Sequence, residues 1–379
     1  MKTKLFFLII GCFTLPLLIY FLIPSHQPLH LIPKFQPPKP SITTHSYFIL
    51  GFLPYWNLDK LTPPALETLD NLAYFSLELK ADGSVHKLKT PTEEIPNWTG
   101  FKKFKQLQLS LPVTLVFTLP NQNSLNSLLT NPQARRQAIT QIVHYATTTP
   151  NLQGINLDFE PTSSISPSLR QNFTQFVIDL NQQLHSLHPT PKLSIDIYPT
   201  ATNPTRLWDL KALSPYTDYF IIMAYDYHHR SNPAGPNAPL VGSGSNYNED
   251  ILKNLAEITQ LVQPSKLLLG IPFYGWEWTT HNSDKYSSAT TKSLASLSRI
   301  NTLIDQKHLE THWDRNSLTP FIIYQDEHQT KQIYFDNLYS IKLKLQLVKD
   351  AHLAGIAIWA IGYEGLNPEL WHTISSQLH

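Results

Sequence analysis

One short stretch of the chain, residues 154–160, combines residue types that could move protons. Its sequence is Gly-Ile-Asn-Leu-Asp-Phe-Glu, in which polar and apolar residues alternate. Side chains on a strand point alternately to its two faces, so Asn156, Asp158 and Glu160 are predicted to share one face. Burying such polar groups on a strand costs free energy of folding unless they have hydrogen-bond partners or take part in function. Pro161 cannot continue a central ladder, so the carboxylates are predicted to lie at a strand end that opens on a catalytic mouth.

Other predicted strands also end in polar or aromatic residues. Tyr225 and Asp226 close the sixth, and Trp359 lies in the eighth. Further aromatic residues follow the first and seventh predicted strands: Tyr55, Tyr274 and Trp276. Aromatic faces pack against the apolar side of a sugar ring, and carboxylates bind hydroxyl groups and exchange protons. The combination is typical of a glycosidase cleft.

The spacing of the two carboxylates restricts the mechanism. An ordinary glycosidase places two carboxyl groups on opposite sides of the scissile bond. Asp158 and Glu160 are two positions apart on one strand, so they lie on the same side and cannot flank a sugar ring. The alternative is that the substrate supplies its own nucleophile. An N-acetyl group at C2 can attack the anomeric carbon, and the protein then needs a proton donor and a group that orients the acetamide.

These residues must be positioned by a repeating strand and helix pattern. Short apolar runs predict eight strands, at residues 47–53, 72–77, 113–119, 154–160, 193–198, 219–225, 267–273 and 355–361. Helical periodicity lies between most of them, as at residues 134–146, 169–187, 248–262 and 340–352. Eight such units predict an α/β fold, a (β/α)₈ TIM barrel, whose carboxyl strand ends carry the site. An open doubly wound sheet is the alternative, but no strand precedes a Gly-rich phosphate turn. Residues 279–337 are too long for one helix and predict a small insertion between strands seven and eight.

The start of the chain predicts a membrane anchor. Lys2 and Lys4 precede residues 5–23, an uncharged apolar run that just reaches the length of about 20 residues needed to span a bilayer. We expect residues 1–23 to form an uncleaved signal-anchor transmembrane helix and residues 24–46, rich in proline, to form a linker. The barrel, residues 47–379, would then lie outside the cytoplasm. A secreted form is the alternative, as is a lipoprotein cleaved before Cys12.

Net charge and cysteine content limit the partners and cross-links that we expect for this chain. The formal net charge of the 379 residues is +1, which does not favour nucleic-acid binding. Cys12 is the single cysteine, so no disulfide can form within the chain. We expect a monomer that needs no cofactor and no metal.

Several motifs together resemble glycoside hydrolase family 18, the chitinase-like family. The family signature Asp-Gly-x-Asp-x-Asp-x-Glu corresponds to residues 153–160, here Gln-Gly-Ile-Asn-Leu-Asp-Phe-Glu. The resemblance extends to Met-Ala-Tyr-Asp at residues 223–226, Gly-Ile-Pro-Phe-Tyr-Gly at 270–275 and Gly-Ile-Ala-Ile-Trp at 355–359. Residues 336–344 also resemble the segment before the family's last strand. The match covers nearly everything from residue 51 onward.

The resemblance implies a role for each matched residue. Glu160 would be the general acid and then the base, with a raised pKa, and Asp158 would orient the acetamide and stabilise the charged ring that it forms. Tyr225 would donate its hydroxyl to the acetamide oxygen. Asp226 would hold the sugar next to the scissile bond, and Trp359 would form the floor beneath it. Tyr55, Tyr274 and Trp276 are expected to be further walls of the cleft.

Two positions depart from the family signature. Gln153 replaces the first aspartate and Asn156 the second. Asn156 can hydrogen-bond Asp158 but cannot take a charge, so we expect Asp158 to stay more firmly ionised. The same asparagine occurs in bacterial cell-wall and spore-cortex glucosaminidases, which favours a peptidoglycan-type polymer of N-acetylglucosamine over chitin. A catalytically silent, lectin-like barrel and an unrelated metal-dependent hydrolase are the rival hypotheses.

Overall fold

The structure, a computed structural model, describes residues 46–228, 233–245 and 247–379. Eight parallel strands close into a barrel in the order β1-β15-β9-β8-β7-β6-β5-β2. The barrel strands are β1 Phe48–Pro54, β2 Asn71–Glu78, β5 Val113–Thr118, β6 Leu152–Asp158, β7 Lys192–Ile197, β8 Tyr219–Ile222, β9 Leu267–Pro272 and β15 Gly355–Trp359. All eight predicted strands are therefore confirmed, and the TIM barrel with them.

The alternation of side chains along the strands separates two layers of core. Ile49 and Leu53 of β1 point outward and pack under the helices, whereas Leu50 and Phe52 point into the barrel. The interior cluster also contains residues from β2, β5, β8, β9 and β15: Ala73, Val116, Ile221, Leu268 and Ala357. All strands thus bury both faces, as expected for a parallel sheet covered by helices.

Helices surround the barrel and return the chain to the start of each strand. They are α1 Pro63–Thr68, α2 Pro96–Gln106, α3 Gln122–Thr130, α4 Pro132–Thr148, α5 Pro167–His185, α6 Leu210–Leu213, α7 Ile251–Ile258, α8 Leu297–Lys307, α9 Leu338–Asp350 and α10 Pro368–Leu378. Local sequence sets where several of them begin. Before α5, the Ser166 hydroxyl accepts the Leu169 N–H and Pro167 occupies the first helical position, which needs no donor.

A five-stranded antiparallel sheet lies in the chain between β9 and β15. Its strands are β10 Tyr274–Thr280, β11 Ala289–Ser296, β12 His312–Asp314, β13 Thr319–Asp326 and β14 Gln329–Tyr334, in the order β11-β10-β14-β13-β12. A short antiparallel pair, β3 Leu88–Thr90 and β4 Glu93–Glu94, follows β2. The larger sheet begins at Tyr274, immediately after the barrel strand β9, rather than at residue 279. The assignment of residues 279–337 as a separate insertion stays a prediction.

The predicted anchor and linker, residues 1–23 and 24–46, lie outside the described residues except for the last position, Ser46. Among the helices that the structure does describe, none has both the length and the apolar character to cross a bilayer. The membrane anchor therefore stays a prediction.

Candidate active site

A cavity of about 620 Å³ opens at the carboxyl ends of the barrel strands. It is lined by aromatic and acidic residues from strands β1, β2, β6, β7, β10 and β15 and from the loops after β6, β7 and β8. The described residues that line it are Phe52, Phe75, Asp158, Glu160, Pro161, Thr162, Asp196, Tyr198, Pro199, Thr200, Arg206, Met223, Tyr225, Asp226, Tyr227, Glu249, Tyr274 and Trp359. A cavity at this face is where TIM barrels place their chemistry.

Strand β6 delivers two carboxyl groups to this cavity. Asp158 is its last residue and is buried, with 6% of its surface exposed. Glu160 lies two residues beyond the strand and is exposed to the cavity. Gly154 near the start of β6 has a packing reason, because a Cβ there would lie 2.2 Å from the Thr114 hydroxyl of β5. A larger residue would push β6 away from β5 and displace both carboxyl groups.

Among the described residues, the hydrogen bonds of Asn156 go to partners other than Asp158, the partner that the sequence allowed. Asn156 is fully buried below the cavity, and its amide donates to Ser194 Oγ at 3.0 Å and to Asp196 Oδ1 at 2.8 Å. Both partners lie on β7, where Ser194 is the register neighbour of Asn156. Asn156 therefore positions Asp196, a residue that lines the cavity and that the sequence analysis missed.

The three neighbouring carboxyl groups all resist ionisation. Burial raises the pKa of Asp158 well above its usual range, and the charges of Glu160 and Asp196 raise it further. Burial also raises the pKa of Asp196, although the hydrogen bond from Asn156 opposes the rise. The raised pKa of Asp158 counts against the expectation that the asparagine keeps Asp158 more firmly ionised than an aspartate at 156 would, and that expectation stays a prediction. An asparagine at 156 does not isolate Asp158, because Asp196 is a second acidic neighbour.

Glu160 has the raised pKa that a general acid needs. Its side chain is open to the cavity, but the surrounding barrel rim still restricts its hydration, and this partial burial is the largest cause of the rise. The Tyr198 hydroxyl lowers the pKa of Glu160, whereas the charge of Asp226 raises it. The net effect keeps Glu160 protonated at higher pH than an ordinary glutamate.

Tyr225 follows β8 and faces the acidic groups. Burial raises the pKa of its hydroxyl well above the usual value, and the nearby charges of Asp196, Glu160 and Asp158 add to the rise. The hydroxyl is therefore a proton donor in hydrogen bonds. Gly270 of β9 makes room for this arrangement, because a Cβ there would lie 2.4 Å from the Ile222 carbonyl and 3.1 Å from the Tyr225 ring.

Asp226 is held by the first strand of the antiparallel sheet. Its Oδ1 accepts the Tyr274 hydroxyl at 2.5 Å and the Trp276 indole N–H at 2.9 Å, both from β10. Its backbone N–H donates to Asn237 Oδ1 at 2.9 Å, which fixes a left-handed backbone with φ of 62°. Tyr274 lines the cavity, whereas Trp276 acts through Asp226 and is not part of the described lining.

Trp359 lies on the wall opposite Glu160, because β15 and β6 are four strands apart around the barrel of eight. Its indole packs edge-on to Phe75 and Phe52, with ring centroids 4.6 and 6.0 Å apart. Trp56, which is 43% exposed, packs edge-on to Trp359 and donates its N–H to the Tyr363 hydroxyl at 3.2 Å. The cavity therefore has an apolar wall of aromatic rings that faces an acidic wall.

The structure does not place Tyr55 in the described lining of the cavity. Residues 55–60 form a 3₁₀ helix, and Tyr55 packs against Gly100 of α2 while Trp56 takes the outward position. Trp56 is likewise outside that lining, so the role of Tyr55 as a wall of the cleft stays a prediction. The other sequence-predicted residues, apart from Asn156 and Trp276, line the cavity together.

Glu364 predicts a pH-dependent stability. It lies five residues after Trp359, is 2% exposed and accepts the Gly362 N–H at 2.7 Å, and burial raises its pKa from 4.5 to about 7. The folded state therefore holds this proton more tightly than the unfolded state, so the stability of the protein falls as the pH rises from about 4.5 through 7. The shift corresponds to about 3 kcal/mol at pH 8. Denaturant unfolding of wild type and Glu364→Gln should be compared at pH 4, 6 and 8. As the pH rises, the free energy of unfolding of the variant should increase relative to that of wild type. A difference between the two that stays constant would contradict this assignment.

Within the part of the chain that the structure describes, no group of three or more His, Cys, Asp or Glu side chains is arranged to hold a metal ion. The expectation that the protein needs no metal stays a prediction.

Comparisons with known proteins show the family to which the chain belongs. The chain is 25% identical over 269 residues to the Bacillus subtilis protein YdhD, which carries the name of a sporulation-specific glycosylase; the alignment covers 68% of this chain and 60% of YdhD, less than two thirds of that relative. It is 22% identical over 333 residues to the cortical fragment-lytic enzyme of Bacillus subtilis, which covers 85% of this chain and 71% of that enzyme. A Cycas revoluta chitinase, solved with (GlcNAc)₃, shares the fold with a TM-score of 0.72 at 19% identity, over 88% of this chain and 100% of that one. The model of the family "Glycosyl hydrolases family 18" matches residues 49–364. The chain therefore belongs to glycosyl hydrolase family 18.

Proposed function

We propose that this protein is a retaining glycosidase that cleaves β-1,4-linked polymers containing N-acetylglucosamine, with the substrate's acetamide as nucleophile. The observation that carries the proposal is the convergence of Asp158, Glu160, Tyr225 and Asp226 in one cavity opposite Trp359. Such a reaction asks the protein for a proton donor, for groups that orient the acetamide and balance the charge of the ring, and for a wall that holds the sugar.

The first chemical step uses the raised pKa of Glu160. The acetamide oxygen forms a bond to the anomeric carbon as the bond from that carbon to the leaving oxygen breaks, and Glu160 gives its proton to the leaving oxygen. Asp158 accepts the acetamide N–H and balances the positive charge of the new ring, while Tyr225 donates to the acetamide oxygen. Asp226 and Trp359 hold the sugar in place.

The second step reverses the protonation. Water attacks the anomeric carbon from the side that the leaving group vacated, its proton passes to Glu160, and the acetamide ring opens. Two displacements at the same carbon retain its configuration. Because burial raises the pKa of both Asp158 and Asp196, this pair of carboxyl groups holds a proton more readily than two ordinary aspartates would.

The names of the relatives favour a bacterial cell-wall polymer as substrate. The Bacillus subtilis relatives are named for lysis of cortical fragments and for sporulation. The predicted anchor at residues 1–23 would hold the barrel outside the cytoplasm, next to such a polymer. A secreted enzyme or a lipoprotein would reach the same substrate.

A product assay tests the proposal. Purified full-length protein in detergent would be given chitin oligomers and peptidoglycan glycan fragments, and mass spectrometry would identify products with a new N-acetylglucosamine reducing end. Proton NMR of the first product should show the β-anomer. Binding of the oligomers without cleavage would support the lectin-like hypothesis, and loss of activity in a chelator would support the metal-dependent one.

Asn156→Asp should change how the rate depends on pH. A carboxyl group at this position would lie beside Asp196 and share the buried layer beneath Asp158. Another acidic neighbour disfavours ionisation of the group, so the acidic limb of the kcat profile should move to higher pH. The profile of Asn156→Ser serves as the control, since serine adds no charge. A limb at the wild-type position in both variants would mean that Asn156 is merely structural.

A further inference from the structure

The cavity presents one charged group that the proposed mechanism does not use. Arg206 lies in the loop after β7 and is the only Lys, Arg or His among the described residues of the lining. Five carboxyl groups share that lining: Asp158, Glu160, Asp196, Asp226 and Glu249. A neutral N-acetylglucosamine polymer needs no cation there, whereas an anionic substrate would be repelled without one.

Neighbouring residues hold the guanidinium of Arg206 in place but do not use all of its N–H donors. It packs over the Tyr198 ring, with its central carbon 5.2 Å from the ring centroid. One nitrogen, Nη2, donates to the Thr200 hydroxyl at 3.1 Å. Its Nε is buried and has no hydrogen-bond partner, and within the described residues Arg206 forms no ion pair. A rigid planar fork with unused donors suits a carboxylate, which it binds bidentately.

The position of Arg206 relative to Glu160 indicates where that carboxylate sits on the substrate. The Tyr198 ring under the guanidinium carries the hydroxyl that lowers the pKa of Glu160. Arg206 is thus on the acid's side of the cavity, across the barrel from Trp359. The oxygen that Glu160 protonates belongs to the leaving sugar, so Arg206 is suited to an acidic group close to that oxygen.

We propose that Arg206 binds the free carboxylate of a 3-O-lactyl group on the leaving sugar, and so selects glycan in which that sugar is N-acetylmuramic acid. The lactyl ether at O3 is next to O4, the leaving oxygen, which matches the placement of Arg206 beside the acid. This inference rests on the proposed glycosidase function. It also gives the enzyme a place in a sequence of reactions, because in cross-linked wall the lactyl carboxyl is bound in an amide. Hydrolysis of that amide, which frees the carboxylate, must come first.

Three tetrasaccharides would test the proposal with the full-length protein. The first alternates N-acetylglucosamine and N-acetylmuramic acid with free lactyl carboxyl groups, the second is its methylamide, and the third is chitotetraose. We expect wild type to cleave the acid with a kcat/KM at least tenfold above that of the methylamide. In Arg206→Met, which keeps the bulk over Tyr198, this ratio should fall about tenfold. Arg206→Lys, which keeps the charge but loses the fork, should fall between the two.

Controls separate the inference from the function on which it rests. Arg136→Met removes an exposed arginine of α4 and should keep the wild-type ratio. Wild type that cleaves the acid and the methylamide equally would overturn the role of Arg206 and leave the glycosidase intact, as would an unchanged ratio in Arg206→Met. Wild type that cleaves none of the three would overturn both. If Arg206→Met fails to fold, the proposal is still tested by the ratio of kcat/KM for the acid to that for the methylamide, measured in wild type and in Arg206→Lys.

Discussion

Glu160→Gln is expected to lower kcat/KM for an N-acetylglucosaminide roughly 10²–10⁴-fold, the range that a positioned general acid contributes. The amide has nearly the shape of the carboxylic acid but cannot give a proton to the leaving oxygen. Because Glu160 is exposed to the cavity, the melting temperature should stay within a few degrees of the wild-type value. Oligosaccharide binding should persist in the variant, as titration calorimetry would show.

The matched control for this variant is Glu67→Gln, an exposed glutamate of α1 that is outside the cavity. Its activity should equal that of wild type. A substrate with a good leaving group, such as a nitrophenyl N-acetylglucosaminide, needs less help from an acid, so the loss in Glu160→Gln should be smaller for it. Hydrolysis at the wild-type rate in Glu160→Gln would show that another group protonates the leaving oxygen.

Asp158→Asn should lower kcat by roughly 10²–10³-fold, the scale of losing one preorganised electrostatic contact in a closed site. The asparagine can still meet the acetamide, but it cannot balance the positive charge of the ring that forms. Asp158 is buried between Glu160 and Asp196, and its raised pKa shows that its charge is costly in the folded protein. Removing that charge should therefore stabilise the protein at pH 8 while it disables the reaction.

The measurement that checks Asp158→Asn combines kinetics with unfolding. The gain in stability over wild type should be largest at high pH and shrink as the pH falls, because a group with a raised pKa loses its charge first in the folded state. Asp305→Asn, on the exposed surface of α8, is the control for carboxylate removal. A variant that is slow but no more stable than wild type at pH 8 would mean that the charge of Asp158 does not destabilise the folded protein.

Alternation along single strands made much of the site predictable. The pattern at residues 154–160 placed Asp158 at the cavity, because a barrel strand has one inward and one outward face. The same pattern exists on β7, where Ser194, Asp196 and Tyr198 alternate with apolar residues, and it could have identified Asp196. The partner of Asn156 was not predictable in this way, since it depends on the register between β6 and β7.

Loops that follow the strands were harder to predict. Tyr55 and Trp56 are adjacent aromatic residues, and the turn of a 3₁₀ helix decides that only Trp56 is strongly exposed. Arg206 lies nine residues beyond the end of β7, and its return to the cavity depends on how the intervening loop folds back over Tyr198. Neither periodicity nor composition carries that information.

The bonds from Tyr274 and Trp276 to Asp226 limit how the mouth of this barrel can be re-engineered. These two residues begin the antiparallel sheet, yet they anchor a carboxylate that belongs to the sugar site. A design that shortens this sheet, or exchanges it for the sheet of another enzyme, must therefore keep the first residues of β10 unchanged. Changes in length are therefore best made at β12, the edge strand farthest from β10, where they need not release Asp226.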